Sequence, residues 1–100
     1  MAVTSLQEIR KTINSICQDD RINRIVLFGS YARGSEDDHS DIDLFIDSDR
    51  QITGFDYFEL KACFEDALGC EIDLVSDVDL IPYSRIENEI RTTGVTVYER

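Results

Sequence analysis

Residues 25–47 constrain the fold more than any other stretch of this chain. Ile25-Val26-Leu27-Phe28 is a short apolar run that stops at Gly29-Ser30, the pattern of a buried strand ending in a turn. Ser30 to Arg33 is predicted to begin a short helix, with Ser30 near its N-terminus. Gly34 to Ser40 is a polar loop. From Asp41 to Asp47, Ile42, Leu44 and Ile46 point one way and Asp41, Asp43 and Asp47 the other, with Phe45 among them. That alternation is the period of a strand with one face in a core.

The flanking segments supply helices and two more strands. Leu6, Ile9, Ile13, Ile16 and Cys17 recur at helical spacing, which predicts an amphipathic helix over 5–18. Ser5 and Glu8 have the spacing of a capping box, and Asp19 and Asp20 are expected to end the helix. A second helix is predicted from a cap at Asp56 to Leu68, with Leu60, Cys63, Phe64, Ala67 and Leu68 on its inner face and Gly69 as its stop. Glu71 to Val75 reads as a third strand. Pro82 suits the first turn of a last helix whose inner face carries Ile86 and Ile90. Val95 to Tyr98 reads as a fourth strand. Helices interleaved with strands give an α/β (α+β mixed) class: a small mixed sheet of about four strands flanked by helices, in a single domain spanning 1–100.

Charge narrows the function classes. With 10 Lys and Arg against 21 Asp and Glu, the net charge is −11. Such a chain is a poor non-specific nucleic-acid binder, because a phosphate backbone needs Lys and Arg. It is compatible with divalent cations and with a basic protein partner. Cys17, Cys63 and Cys70 are odd in number and lack metal-site spacing. Cys17 and Cys63 are expected in the core, and a reducing, cytoplasmic setting is expected with them. Residues 1–10 lack an apolar signal core, and no apolar run of membrane-spanning length is present.

The chemistry sits in the opening stretch. A Gly-Ser turn between a buried strand and a helix offers backbone N–H groups and a hydroxyl to a phosphate. Arg33, one turn on, can add a cationic fork. Neither a P-loop pattern nor GxGxxG is present. Asp41 and Asp43, two apart on a strand, point the same way about 6.6 Å apart. They can serve a pair of divalent ions about 3.5–4 Å apart, and Mg²⁺ suits such oxygen ligands. Asp47/Asp49 and Asp77/Asp79 repeat the Asp-x-Asp spacing but follow no Gly-Ser turn, and are expected to be solvated. Asp73, between Ile72 and Leu74, must face solvent or a site, and becomes a third carboxylate if its strand adjoins the Asp41 strand. His39, the single histidine, is expected to be exposed in its loop, and Tyr31 to pack beneath the turn.

Gly29-Ser30-Tyr31-Ala32-Arg33-Gly34 followed by Ser40-Asp41-Ile42-Asp43-Leu44 closely resembles the signature of the nucleotidyltransferases with a DNA polymerase β-like fold. The chain is similar, over residues 5–99, to their smallest branch, the minimal nucleotidyltransferases (MNT). The resemblance implies that Gly29 and Ser30 hold nucleotide phosphates and that Arg33 occupies the basic position. It implies that Asp41, Asp43 and Asp73 are catalytic and bind metal. The expected cofactors are two Mg²⁺ ions with ATP as nucleotide donor. The expected partner is a HEPN-domain toxin, often a ribonuclease, neutralised by AMP transfer to a tyrosine hydroxyl, which would make this chain an antitoxin. Two other readings stay open: an antitoxin acting by contact alone, and a free-standing transferase acting on a small molecule.

Overall fold

The computed structural model describes residues 5–17, 19–34 and 41–100. His39 and Ser40, with the rest of 35–40, lie outside the described residues. The elements run α1 (Leu6–Ile16), β1 (Arg24–Phe28), α2 (Ser30–Arg33), β2 (Ile42–Asp47), α3 (Phe55–Leu68), β3 (Ile72–Ser76), α4 (Arg85–Thr93) and β4 (Val95–Glu99). Among the described residues, no helix is long and apolar enough to cross a membrane.

The strands form one mixed sheet in the order β3-β2-β1-β4. β1 pairs antiparallel with both β2 and β4, whereas β2 and β3 are parallel. A parallel pair needs a crossover, and α3 supplies it. Alternation divides the sheet residues between two clusters. Ile25, Leu27, Ile42, Leu44, Ile46 and Leu74 join Ile9 and Ile13 of α1 and Phe64 and Leu68 of α3 in the main core. Val26, Phe28 and Phe45 form a smaller cluster with Val75, Leu80 and Ile90 of α4. The result is three layers: α1 and α3, the sheet, and α4. Each large apolar side chain buried this way contributes about 1.5–3 kcal/mol.

Local chemistry sets the element ends. The Ser5 hydroxyl accepts from the Glu8 amide at 3.1 Å, as the spacing predicts. α1 ends at Ile16 rather than at Asp19 and Asp20, and the Cys17 amide closes it on the Ile13 carbonyl at 2.9 Å. Asp56 is not the cap of α3. Gly54 occupies that position and Asp56 lies in the first turn. The Asp56 carboxylate instead accepts from Arg21 at 2.7 Å, while Arg21 also grips Asp19 at 2.6 Å. That hydrogen bond from Arg21 holds the Asp19 carboxyl below its usual range. Cys63 is exposed, not in the core, whereas Cys17 is buried and Cys70 half-buried. Burial pushes the Cys17 thiol up.

The third strand is displaced by one residue, to Ile72–Ser76. α4 begins at Arg85 behind a Ser84 cap, so Pro82 stands in the turn before the helix. Tyr31 packs against the main core, as expected. Asp77 is no idle surface carboxylate. It accepts from the Ser48 amide and hydroxyl, each at 3.2 Å, and from the Arg50 amide at 2.9 Å. This satisfies the turn after β2, where Asp49 and Arg50 both adopt positive φ.

Gly94, between α4 and β4, has an ordinary negative φ of −66°, so its role is spatial. A Cβ there would lie 2.3 Å from the Ile90 carbonyl oxygen and 2.6 Å from a Val26 methyl. Gly94→Ala should therefore destabilise the fold by roughly 1–3 kcal/mol through overpacking, read as a lower urea midpoint at unchanged m-value. A midpoint matching the parent would show that α4 can shift off the sheet at no cost.

Candidate active site

Three elements converge at one end of the sheet. β1 delivers Phe28 and the turn, β2 delivers Asp43, and β3 delivers Asp73. Phe28 pairs with Asp43, and Asp43 with Asp73, in register across the three strands. Alternation puts the two carboxylates on the face that α4 covers, beyond the small apolar cluster. Gly29, Ser30, Arg33, Asp43 and Asp73 line a single cleft of about 260 Å³. Asp41 is exposed, one residue ahead of β2, and does not line that cleft. A wider hollow of about 500 Å³ beside Cys17 and Cys63 contains none of these residues.

Gly29 explains how the carboxylate fits. Its φ of 78° lies in the region that favours glycine. A Cβ on it would meet the Asp43 Oδ2 at 2.1 Å and Cγ at 2.9 Å. The missing side chain thus makes room for the Asp43 carboxyl against the turn. Ser30 follows as the first residue of α2 and faces the cleft. Arg33 closes that side, with its Nη1 3.5 Å from Glu89 Oε1 of α4.

The electrostatics mark Asp43. Burial pushes its carboxyl up to about 6, and the negative charges of Asp73, Asp41 and Glu89 add to the effect, with Arg33 pulling the other way. Asp41 therefore acts on the site by charge although it stands outside the cleft. Among the described residues, no three acidic, histidine or cysteine side chains already form a closed metal-binding group. The carboxylates line one end of the sheet without making a ready-made cage. Their donors are nonetheless all hard oxygens, and a cation would relieve the repulsion that raises Asp43. The donor set fits a hard divalent ion.

α4 supplies a wall that sequence reasoning missed. Arg85, Ile86 and Glu89 all line the cleft. Ile86 is 38% exposed there rather than buried on an inner face. Helical spacing places Arg85 and Glu89 beside Ile86, which is the one available signal. Nothing local to α4 says that this face looks onto Asp43.

The raised Asp43 carboxyl has a definite sign. The folded chain holds this proton more tightly than the unfolded chain, whose ordinary value is 3.8. The associated stability is present below that value and is lost as pH rises through about 6. A difference of this size is worth about 3 kcal/mol, and solvent around a half-buried group reduces it to roughly 1–2 kcal/mol. In chelator at pH 8, Asp43→Asn should melt about 4–12 °C above the parent, with the difference vanishing near pH 3.5. An Asn variant no more stable at pH 8 would mean that the carboxylate is not strained.

The relatives of this chain have the same architecture. Residues 11–100 match the family model "Polymerase beta, Nucleotidyltransferase". A Methanocaldococcus jannaschii protein, named provisionally as a protein adenylyltransferase, is 35% identical over 74% of this chain and 77% of its own. The protein adenylyltransferase MntA of Thermococcus cleftensis is 32% identical over 75% of this chain and 80% of its own. A solved structure described provisionally as a minimal nucleotidyltransferase superposes with a TM-score of 0.74 at 30% identity, covering 95% of each chain. A crystal structure of a toxin-antitoxin with AMP-PNP superposes with a TM-score of 0.69 at 25% identity, covering 92% of this chain and 71% of that one. With a family model covering nine-tenths of its length and a sheet that brings Gly29, Ser30, Asp43 and Asp73 to one cleft, the chain belongs to the polymerase β-like nucleotidyltransferase family.

Proposed function

We propose that this nucleotidyltransferase is an Mg²⁺-dependent, cytoplasmic antitoxin that moves AMP from ATP to a tyrosine hydroxyl of a HEPN-domain ribonuclease toxin. The observation that carries the reading is the in-register pair Asp43 and Asp73 facing Ser30 across one cleft. The relatives that are protein adenylyltransferases and the toxin-antitoxin neighbour support the choice of a protein acceptor.

The roles follow from position. Asp41, Asp43 and Asp73 would hold the cations, and Asp41 would complete the set from the mouth of the site. Bound there, Mg²⁺ would supply neutralisation of developing charge on the phosphates and a lowered pKa for a bound hydroxyl. Ser30, with the Gly29 turn, binds the β- and γ-phosphates through hydroxyl and backbone N–H groups. Arg33 stabilises that turn or its phosphates from the α2 side. The tyrosine oxygen attacks the α-phosphorus, and the bond to the α–β bridging oxygen breaks. Pyrophosphate leaves, and Asp73 takes the phenolic proton. The half-exposed surroundings of the cleft leave the acceptor to arrive from solvent on its own protein.

The test is intact-mass spectrometry of the HEPN-domain partner after incubation with this chain, ATP and Mg²⁺. The expected result is a gain of one AMP residue or a multiple, abolished by chelator and by Asp41→Asn with Asp43→Asn. Unmodified partner that is still bound and still neutralised by the double variant would establish neutralisation by contact alone. Modification of a small molecule but not of the partner would point to a free-standing transferase.

A further inference from the structure

Among the described residues, two arginines line the cleft, and one of them is ion-paired. Arg33 on α2 faces Glu89 on α4 at 3.5 Å. Arg85, the first residue of α4, lines the same cleft from the opposite wall. Among the described residues, its side chain has neither an ion pair nor a hydrogen bond. That is notable in a chain with 21 acidic side chains against 10 basic ones. Acidic groups outnumber basic ones two to one, yet among the described residues no carboxylate pairs with this guanidinium.

Its backbone is held in place. The Ser84 hydroxyl accepts from the Glu87 amide at 3.2 Å, and the Tyr83 amide donates to the Glu87 carboxylate at 3.2 Å. The helix start is therefore fixed, while the Arg85 side chain has no partner among the described residues. The cleft floor is acidic, with Asp43 and Asp73 side by side. An anionic ligand entering over that floor needs positive charge from the walls. Arg33 already shares its charge with Glu89. A planar guanidinium with unused donors suits phosphate oxygens in a bidentate grip.

We infer that Arg85 is a nucleotide-binding residue that grips the triphosphate from the α4 wall, opposite Ser30. The inference rests on the nucleotide-cleft reading given above. Its content is that α4 is part of the binding machinery and not merely a cover for the sheet.

Calorimetric titration of the full chain with Mg²⁺ and a non-hydrolysable ATP analogue, then with tripolyphosphate and with AMP, tests it. Arg85→Gln should weaken the analogue and tripolyphosphate by about tenfold each, in line with loss of a charged hydrogen-bonding group, and leave AMP within twofold. Arg85→Lys should fall between, since it keeps the charge and loses the fork. Both variants should melt like the parent, because the exposed side chain has no partner among the described residues. If Arg85→Gln binds the analogue and tripolyphosphate within twofold of the parent, the inference is overturned and the nucleotide reading stands. Loss of the analogue alone, with tripolyphosphate unchanged, overturns the assignment to the phosphates. A parent chain that binds neither ligand overturns the nucleotide reading and this inference with it.

Discussion

Two carboxylates on neighbouring strands, in register and on the same face of a sheet, are the constraint around which this molecule is arranged. Asp43 and Asp73 sit side by side where β2 and β3 run parallel. A cross-strand pair of like charges is unfavourable, and burial makes it worse for Asp43. The chain tolerates the pair because the opposite face of the same strands is deeply buried. Ile42, Leu44, Ile72 and Leu74 lie under α1 and α3. Strand position is set by that core, and the carboxylates go where alternation sends them. The site is strained locally and supported by apolar packing one residue away.

The same face of the sheet changes character along its length. Val26, Phe28 and Phe45 pack beneath Ile90 of α4, and one residue further Asp43 meets the Gly29 turn. α4 covers the apolar part, and its first turn overhangs the acidic part. One helix thus serves both as a lid on a small core and as a wall of the cleft. Gly94 lets it lie close, since its missing side chain is what accommodates Val26 and the Ile90 carbonyl. The Arg33–Glu89 pair joins the two walls across the mouth. At 3.5 Å and with both side chains partly exposed, it contributes little to stability, so its effect is on the orientation of Arg33.

The elements that build the sheet were legible because their signals are local. Ile25 to Phe28, the alternation from Ile42 to Ile46, and the Ser5–Glu8 cap need no knowledge of the rest of the chain. The grouping of Gly29, Ser30 and Asp43 was legible from order and spacing along one stretch, whereas Asp73 joined it only on condition that its strand adjoined β2, or through the family resemblance, and the β2–β3 pairing meets that condition. What failed was tertiary in origin. Cys63 falls at helical spacing with Phe64, yet the α3 face that meets the sheet does not include it. Asp77 has the same Asp-x-Asp spacing as Asp41 and Asp43, but the turn after β2 recruits its carboxylate. Asp41 is a different case: β2 begins one residue after it, so it is exposed and acts on Asp43 by charge without lining the cleft. The α4 wall was illegible for the same reason: Arg85 and Glu89 acquire meaning only from what lies opposite them.

Size then decides what kind of reaction such a cleft can host. A volume of about 260 Å³ is below the range of about 300–1,000 Å³ in which pockets enclose a whole small-molecule ligand. The polar groups that line it are a glycine-serine turn, carboxylates and arginines, which are chemically suited to phosphates and cations. Among the described residues that line it, only Phe28, Val75 and Ile86 are large and apolar, and Phe28 is committed to the small core. Among the described residues, the lining is richer in groups that suit a polyphosphate than in groups that would hold a base. Positioning is where much of the rate of such transfers originates. A site that fixes one reactant and leaves the other in solvent needs a second body to orient the nucleophile. On the proposed reading, acceptor specificity is then a property of the complex, set by how the partner seats over the cleft wall that Arg85 and Ile86 form. The strands supply the chemistry, and the encounter supplies the substrate.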